Sequence, residues 1–116
     1  MQPIQPDCAI SYAIDIIGGK WKLAILYYLA DGTKRFNELR RLMPEVTRQM
    51  LTLHLRELER DGVVHREVYA QVPPKVEYSL TEQGRLLEPV LLALGVWGEA
   101  HRSQQRTASE ADKTSL

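Results

Sequence analysis

One cysteine, Cys8, in 116 residues leaves no partner for an internal disulfide, so a packed core must hold the chain together. A lone thiol also suits a reducing cytoplasm. No apolar run reaches the roughly 20 residues of a membrane-spanning helix. Residues 1–8 lack the basic start and apolar stretch of a signal peptide. These absences lead to the expectation of a cytoplasmic protein with no membrane partner. The three histidines, His54, His65 and His101, show no metal-ligand spacing. Phosphate loop, nucleophile motif and cofactor fingerprint are all missing. Neither catalytic residue, metal nor cofactor is therefore expected, and the chain does not read as an enzyme.

Net charge is absent as well, with 15 Lys and Arg against 15 Asp and Glu. Its distribution is uneven. Residues 20–66 carry ten Lys and Arg against six Asp and Glu, a balance of +4, and each flank carries −2. Positive charge is thus concentrated in one segment, as a surface facing nucleic acid requires. There is no internal repeat, and the length suits a single domain over residues 1–101.

The basic segment contains a two-helix pattern at residues 36–62. Phe36, Leu39 and Met43 recur at helical spacing, and Pro44 ends that stripe. Thr47 suits an N-cap, and Leu51, Leu55 and Leu58 form a second apolar stripe closed by Gly62. Two short helices with a tight connection most often serve DNA recognition. A wing follows at residues 63–80, with β-rich runs at 63–70 and 76–80 joined across Pro73-Pro74. Upstream, Asp7 can cap a helix over 8–17, Gly18-Gly19 breaks it, and an apolar helix over 20–30 stops at Asp31-Gly32. Downstream, Thr81 caps a long helix over 82–101. Residues 102–116 hold few apolar side chains and read as a disordered tail. The expected fold is α+β and mainly α, a winged helix-turn-helix with extra helices at both ends.

On a step of about 100° per residue, Leu51, Leu55 and Leu58 share one side of the second helix. Arg48, Gln49, Thr52 and Leu53 lie away from that side in its first half, where base edges are usually read. Arg56 and Arg60, further along, are placed for phosphates, as are Arg66 on the first wing strand and Lys75 at the wing tip. Tyr69 and Gln71 are further hairpin candidates, whereas Tyr78 reads as strand packing. The alternative is a solvated face in which Arg60 pairs with Glu57 or Glu59. At the level of function, the alternative is a protein-interaction module that keeps the winged fold without DNA binding.

The order of several short motifs is more specific than any one of them. Gly18-Gly19-Lys20-Trp21, Arg35-Phe36-Asn37-Glu38-Leu39, Met50-Leu51-Thr52, Leu55-Arg56-Glu57-Leu58 and Asp61-Gly62 are followed by the run from Pro73-Pro74-Lys75 to Ser79-Leu80-Thr81, then Gly84 and Trp97. In this the chain resembles the HxlR-type winged helix-turn-helix transcriptional regulators of bacteria over residues 8–101. The resemblance implies a homodimer on an inverted-repeat operator in double-stranded DNA, as repressor or activator. It departs at Leu53-His54, where family members more often carry polar residues such as glutamine.

The expected last helix is apolar on more than one face. Leu87, Val90, Leu91, Leu94 and Trp97, together with Ile10 and Ile14 of the first helix, are the expected dimer interface. The alternative is a thick single-chain core. Cys8 stands at the expected start of the first helix, where the helix N-terminus favours a thiolate and Asp7 opposes it. Some HxlR-type regulators carry a reactive cysteine near the N-terminus. By that resemblance Cys8 is a candidate sensor of a small electrophile or oxidant; otherwise it is a small apolar residue of the interface.

Overall fold

A computed structural model describes residues 8–114, with side-chain environments through residue 111. The chain divides into two compact units at Leu86 and Leu87, where the sequence reading places one domain. The first unit runs α1 (Ala9–Ile17), α2 (Lys20–Ala30), β1 (Lys34–Arg35), α3 (Phe36–Leu42), α4 (Arg48–Arg60), β2 (Val64–Tyr69), β3 (Lys75–Leu80) and α5 (Glu82–Arg85). The second is α6 (Glu88–Thr114). This is the mainly helical winged helix-turn-helix that the sequence leads one to expect.

Local chemistry sets the element ends. Cys8, with extended backbone, takes the N-cap of α1 and makes no side-chain cap bond. Asp7, the expected cap, lies outside the described residues. The chain turns from α1 into α2 at Gly19, whose φ of 97° suits a residue without a Cβ. At α3 the Glu38 carboxylate accepts from the Arg35 backbone N–H at 3.0 Å. Arginine has no acceptor, so only this half of a capping box exists. Thr47 caps α4 as expected, its hydroxyl accepting from the Met50 N–H at 3.1 Å.

The core of the first unit is built where these helices meet the sheet. Ile25, Leu26 and Leu29 of α2, Leu39 of α3, and Leu51, Leu55 and Leu58 of α4 are buried, with Val63, Val64, Tyr78 and Leu80 beside them. One charged side chain joins this core. Lys22 is only 9% exposed, and its Nζ lies 3.5 Å from Glu57 Oε1.

The sheet order is β1-β3-β2, antiparallel throughout. Nothing in the sequence announces β1, two charged residues without alternation; it exists because Lys34 and Arg35 pair with Tyr78 and Glu77 of β3. On the other edge Val64 pairs with Leu80, Arg66 with Tyr78 and Tyr69 with Lys75. The root of the wing is tied to the end of α4 by Thr81, whose Oγ1 donates to the Gly62 carbonyl at 2.6 Å and accepts from the Gly84 N–H at 3.0 Å. Gly84 sits so close that an added Cβ would lie 2.2 Å from the Val63 carbonyl oxygen.

Two expectations are corrected at the C-terminal end. The single helix over 82–101 is instead split, with α5 ending at Arg85 and α6 starting at Glu88. Pro89 has no N–H to give the Arg85 carbonyl and its ring would collide with that group in a continuous helix, whereas the first turn of α6 tolerates it. Residues 102–116 were expected to be disordered, yet α6 continues to Thr114. After Gly98 the sequence has no Gly or Pro through Thr114 and is rich in Ala, Glu, Gln and Arg. Glu99 adds bonds to Arg102 and, at 3.0 Å, to Arg106. None of the described helices is long and apolar enough to cross a membrane.

Candidate nucleic-acid interface

Burial of Leu51, Leu55 and Leu58 fixes which side of α4 reaches solvent. Gln49, Leu53, Arg56 and Arg60 are exposed opposite the buried stripe, and Arg48 is exposed on its flank. Leu53 is 54% exposed, an apolar side chain among polar neighbours. Met50, which the sequence analysis names only within a motif and gives no part in base reading, is also exposed and stands one turn before Leu53. Its signal was available: it falls outside the stripe that Leu51, Leu55 and Leu58 define.

Individual contacts refine the expected roles. The Arg48 guanidinium lies 5.3 Å from the centroid of the Phe36 ring, so the N-terminal ends of α3 and α4 meet. Arg35 and Asn37, the chain neighbours of Phe36, are both exposed. Thr52 is half-buried, and its hydroxyl donates to the Arg48 carbonyl at 2.8 Å. Its proton is thus engaged, which leaves the methyl group and the oxygen lone pairs for a base.

Arg60 does not pair with Glu57 or Glu59; its Nε lies 3.4 Å from Asp61 Oδ1. Glu57 instead faces Lys22, with His54 Nδ1 3.7 Å from the same oxygen. Both ring nitrogens of His54 are buried without a hydrogen-bond partner among the described residues.

In the wing, Lys75 is the first residue of β3 rather than the tip. Its Nζ lies 2.7 Å from Glu77 Oε1 and 5.0 Å from the centroid of the Tyr69 ring. Gln71 and Val72 stand at the exposed turn. Arg66 faces a cleft of about 270 Å³ that it shares with Thr52, Leu55, Arg56, Glu59 and Tyr78. Tyr78 is buried, as strand packing requires.

Helices α1 and α6 each carry apolar side chains in solvent. On α1, Ile10 is 60% and Ile14 56% exposed. On α6, Val90, Leu94 and Trp97 are exposed and Leu91 is half-buried, as is Leu87 just before the helix. Pro89, Val90, Ala93, Leu94 and Trp97 line a shallow apolar hollow along α6, and the Trp97 ring stacks on His101 at 5.0 Å. Cys8 is half-buried at the head of α1.

The chain matches the model of the HxlR-like helix-turn-helix family over residues 16–106. It is 65% identical over 97 residues to YdeP of Bacillus subtilis strain 168, an uncharacterized helix-turn-helix transcriptional regulator; the match covers 84% of this chain and 76% of YdeP. YybR from the same organism, likewise an uncharacterized regulator, is 60% identical over 100 residues, covering 86% of this chain and 80% of YybR. Among solved structures, the redox regulator HypR in its reduced form superposes with a TM-score of 0.80 at 59% identity, covering 84% of this chain and 97% of HypR. A family match spanning most of the chain, an α4 whose polar face is open to solvent beside a wing, and regulators at this level of identity agree, and the chain belongs to the HxlR-like helix-turn-helix family of transcriptional regulators.

Proposed function

We propose that this regulator binds an inverted-repeat operator in double-stranded DNA as a cytoplasmic homodimer, without catalytic activity. The observation that carries the reading is the solvent-facing side of α4, where Gln49, Leu53 and Arg56 stand exposed behind a Thr47 cap. In this reading Arg48, Gln49, Thr52 and Leu53 read base edges. Arg56, Arg60 and Arg66 meet phosphates, and Lys75 joins them by exchanging Glu77 for a phosphate. Dimerisation is supported by the exposed Ile10 and Ile14 on α1 and by Val90, Leu94 and Trp97 on α6. Leu87 and Leu91 belong to the same apolar set. A twofold partner would cover such faces and place two recognition helices about one DNA turn apart.

Thiol sensing through Cys8 is part of the proposal. It is supported by the likeness to HypR, a redox regulator known in reduced and oxidized forms, and by the thiol's place at the head of α1. Footprinting on the DNA around the chromosomal gene, combined with sedimentation, tests the reading. The expected result is protection of two related half-sites by a dimer. Leu91→Glu or Leu94→Glu should give monomer or aggregate with operator binding lost. A wild-type monomer at tens of micromolar, on the order of weak association, would overturn the dimer.

A further inference from the structure

The cleft between the second half of α4 and the root of the wing is built from two elements that meet only in the folded chain. Arg56 reaches it from the helix and Arg66 from β2. Arg66 pairs in register with Tyr78, as Val64 pairs with Leu80. Directly opposed residues of an antiparallel pair share a face of the sheet, and alternate residues along a strand share it too. Val64, Tyr78 and Leu80 are buried, so Arg66 continues the core-facing side of β2. An apolar residue would be the ordinary occupant of that phase. The arginine there is exposed, and it lines the cleft together with Thr52, Arg56 and Glu59 of α4.

The charges around the cleft are unequal. Arg56 and Arg66 carry no ion pair among the described residues, and Glu59 is the single carboxylate in the lining. Two like charges facing one cavity repel each other until an anion comes between them. Guanidinium forks match the oxygens of a phosphate, and Thr52 and Tyr78 bring hydroxyl-bearing side chains to the same lining. Leu55 supplies an apolar floor. At about 270 Å³ the cleft is roomy enough for more than a single phosphoryl group and lies near the lower end of small-ligand sites.

We propose that this cleft is a phosphate-type oxyanion site, held between Arg56 and Arg66. In the DNA-free protein a small phosphorylated or pyrophosphate-class molecule occupies the place that a backbone phosphate takes on DNA. Free oxyanion and operator therefore compete. The competition half rests on the DNA-binding reading above; the site itself does not.

Calorimetric titration of the full chain with sodium pyrophosphate at fixed ionic strength tests the site without DNA. Wild type should bind saturably, and Arg56→Gln and Arg66→Gln should each bind at least about tenfold more weakly, as loss of a charge-assisted fork implies. Glu59→Gln should bind several-fold more tightly, a gain that no folding defect produces. Absence of saturable wild-type binding, or unchanged affinity in both arginine variants, overturns the site.

The second arm measures binding to a footprinted operator fragment. Pyrophosphate should weaken wild-type binding beyond the effect of sodium chloride at matched ionic strength, and Arg66→Gln should lose that excess. Wild-type binding that is indifferent to saturating pyrophosphate overturns the shared site. A chain that binds pyrophosphate but no DNA leaves the first arm intact and removes the DNA reading alone.

Discussion

Lys22 Nζ lies 3.5 Å from Glu57 Oε1, an ion pair that joins α2 to the recognition helix α4. The lysine side chain is 11% exposed and the glutamate 30%, so neither is freely solvated. Truncating one partner leaves a poorly solvated charge behind, which is more damaging than losing the attraction itself. Lys22→Met or Glu57→Gln alone should destabilise by about 1–3 kcal/mol, between the values for exposed and fully buried pairs. The double variant should recover much of that loss. Urea denaturation of the four proteins measures the coupling, and strict additivity would show that the pair contributes nothing.

Leu53 and Met50 are exposed apolar side chains one turn apart in the first half of α4. Apolar contact with the thymine methyl group is one of the few base contacts open to such residues. Replacing thymine by deoxyuridine at successive operator positions removes that methyl and nothing else. At the contacted position the change should weaken wild-type binding by about 0.8 kcal/mol, the value of one buried methyl-sized group. Leu53→Ala should be indifferent to it. Gln49→Ala should instead relax discrimination at a neighbouring pair by about 1–3 kcal/mol. Insensitivity of wild type to every deoxyuridine would remove Leu53 from base reading.

Much of the helical framework was legible because it depends on short-range chemistry. Thr47 reads as a cap from its place between Pro44 and the leucine stripe, and its hydroxyl accepts from Met50. The bounds of α2 follow from Gly18-Gly19 and Asp31-Gly32 in the same way. Features set by distant partners were not legible. Strand β1 exists only through Tyr78 and Glu77, more than 40 residues away. Lys22 lies in the core because Glu57 on another helix meets it. Lys75 looks like a free tip cation until Glu77 is seen 2.7 Å away. The helical run beyond residue 101 was misread because low apolar content resembles disorder, whereas helix formers and the Glu99 pairs favour a helix.

Those Glu99 pairs predict an acid response. The hydrogen bond from Arg102 holds the Glu99 carboxyl below its ordinary value, helped by the charge on that guanidinium, opposed by desolvation, and helped further by smaller contributions from Ser103 and Arg106. A depressed folded value means that the stabilisation is fully present above the unfolded value, about 4.3 for glutamate. It is lost as pH falls through the lower, folded value. Hydrogen exchange in α6 around residues 99–106 should therefore quicken at acid pH relative to the intrinsic rate. Glu99→Gln should show weaker protection already at neutral pH and little further change on acidification. An identical acid response in the variant would assign the effect to other groups.

Cys8 yields the last prediction. It is the N-cap of α1, its side chain makes no cap bond, and the helix it heads exposes Ile10 and Ile14. If those isoleucines meet a second copy, a group added to the Cys8 sulfur changes the packing at one end of that interface. Two recognition helices tied to fixed half-sites tolerate little change in spacing, so modification should release DNA. The chain has one thiol, so oxidation by diamide must give a mixed disulfide with an added thiol or a bridge between two copies of Cys8, with the two electrons passing to diamide. In mobility-shift assays diamide or a quinone should release the wild type, and dithiothreitol should restore binding after diamide only, since the quinone adduct is a thioether. Cys8→Ser should bind the operator as wild type does and respond to neither reagent. A non-reducing gel separates a bridge between subunits from a mixed disulfide. Equal responses of the two proteins, or none in either, would leave Cys8 as a packing residue at the head of α1.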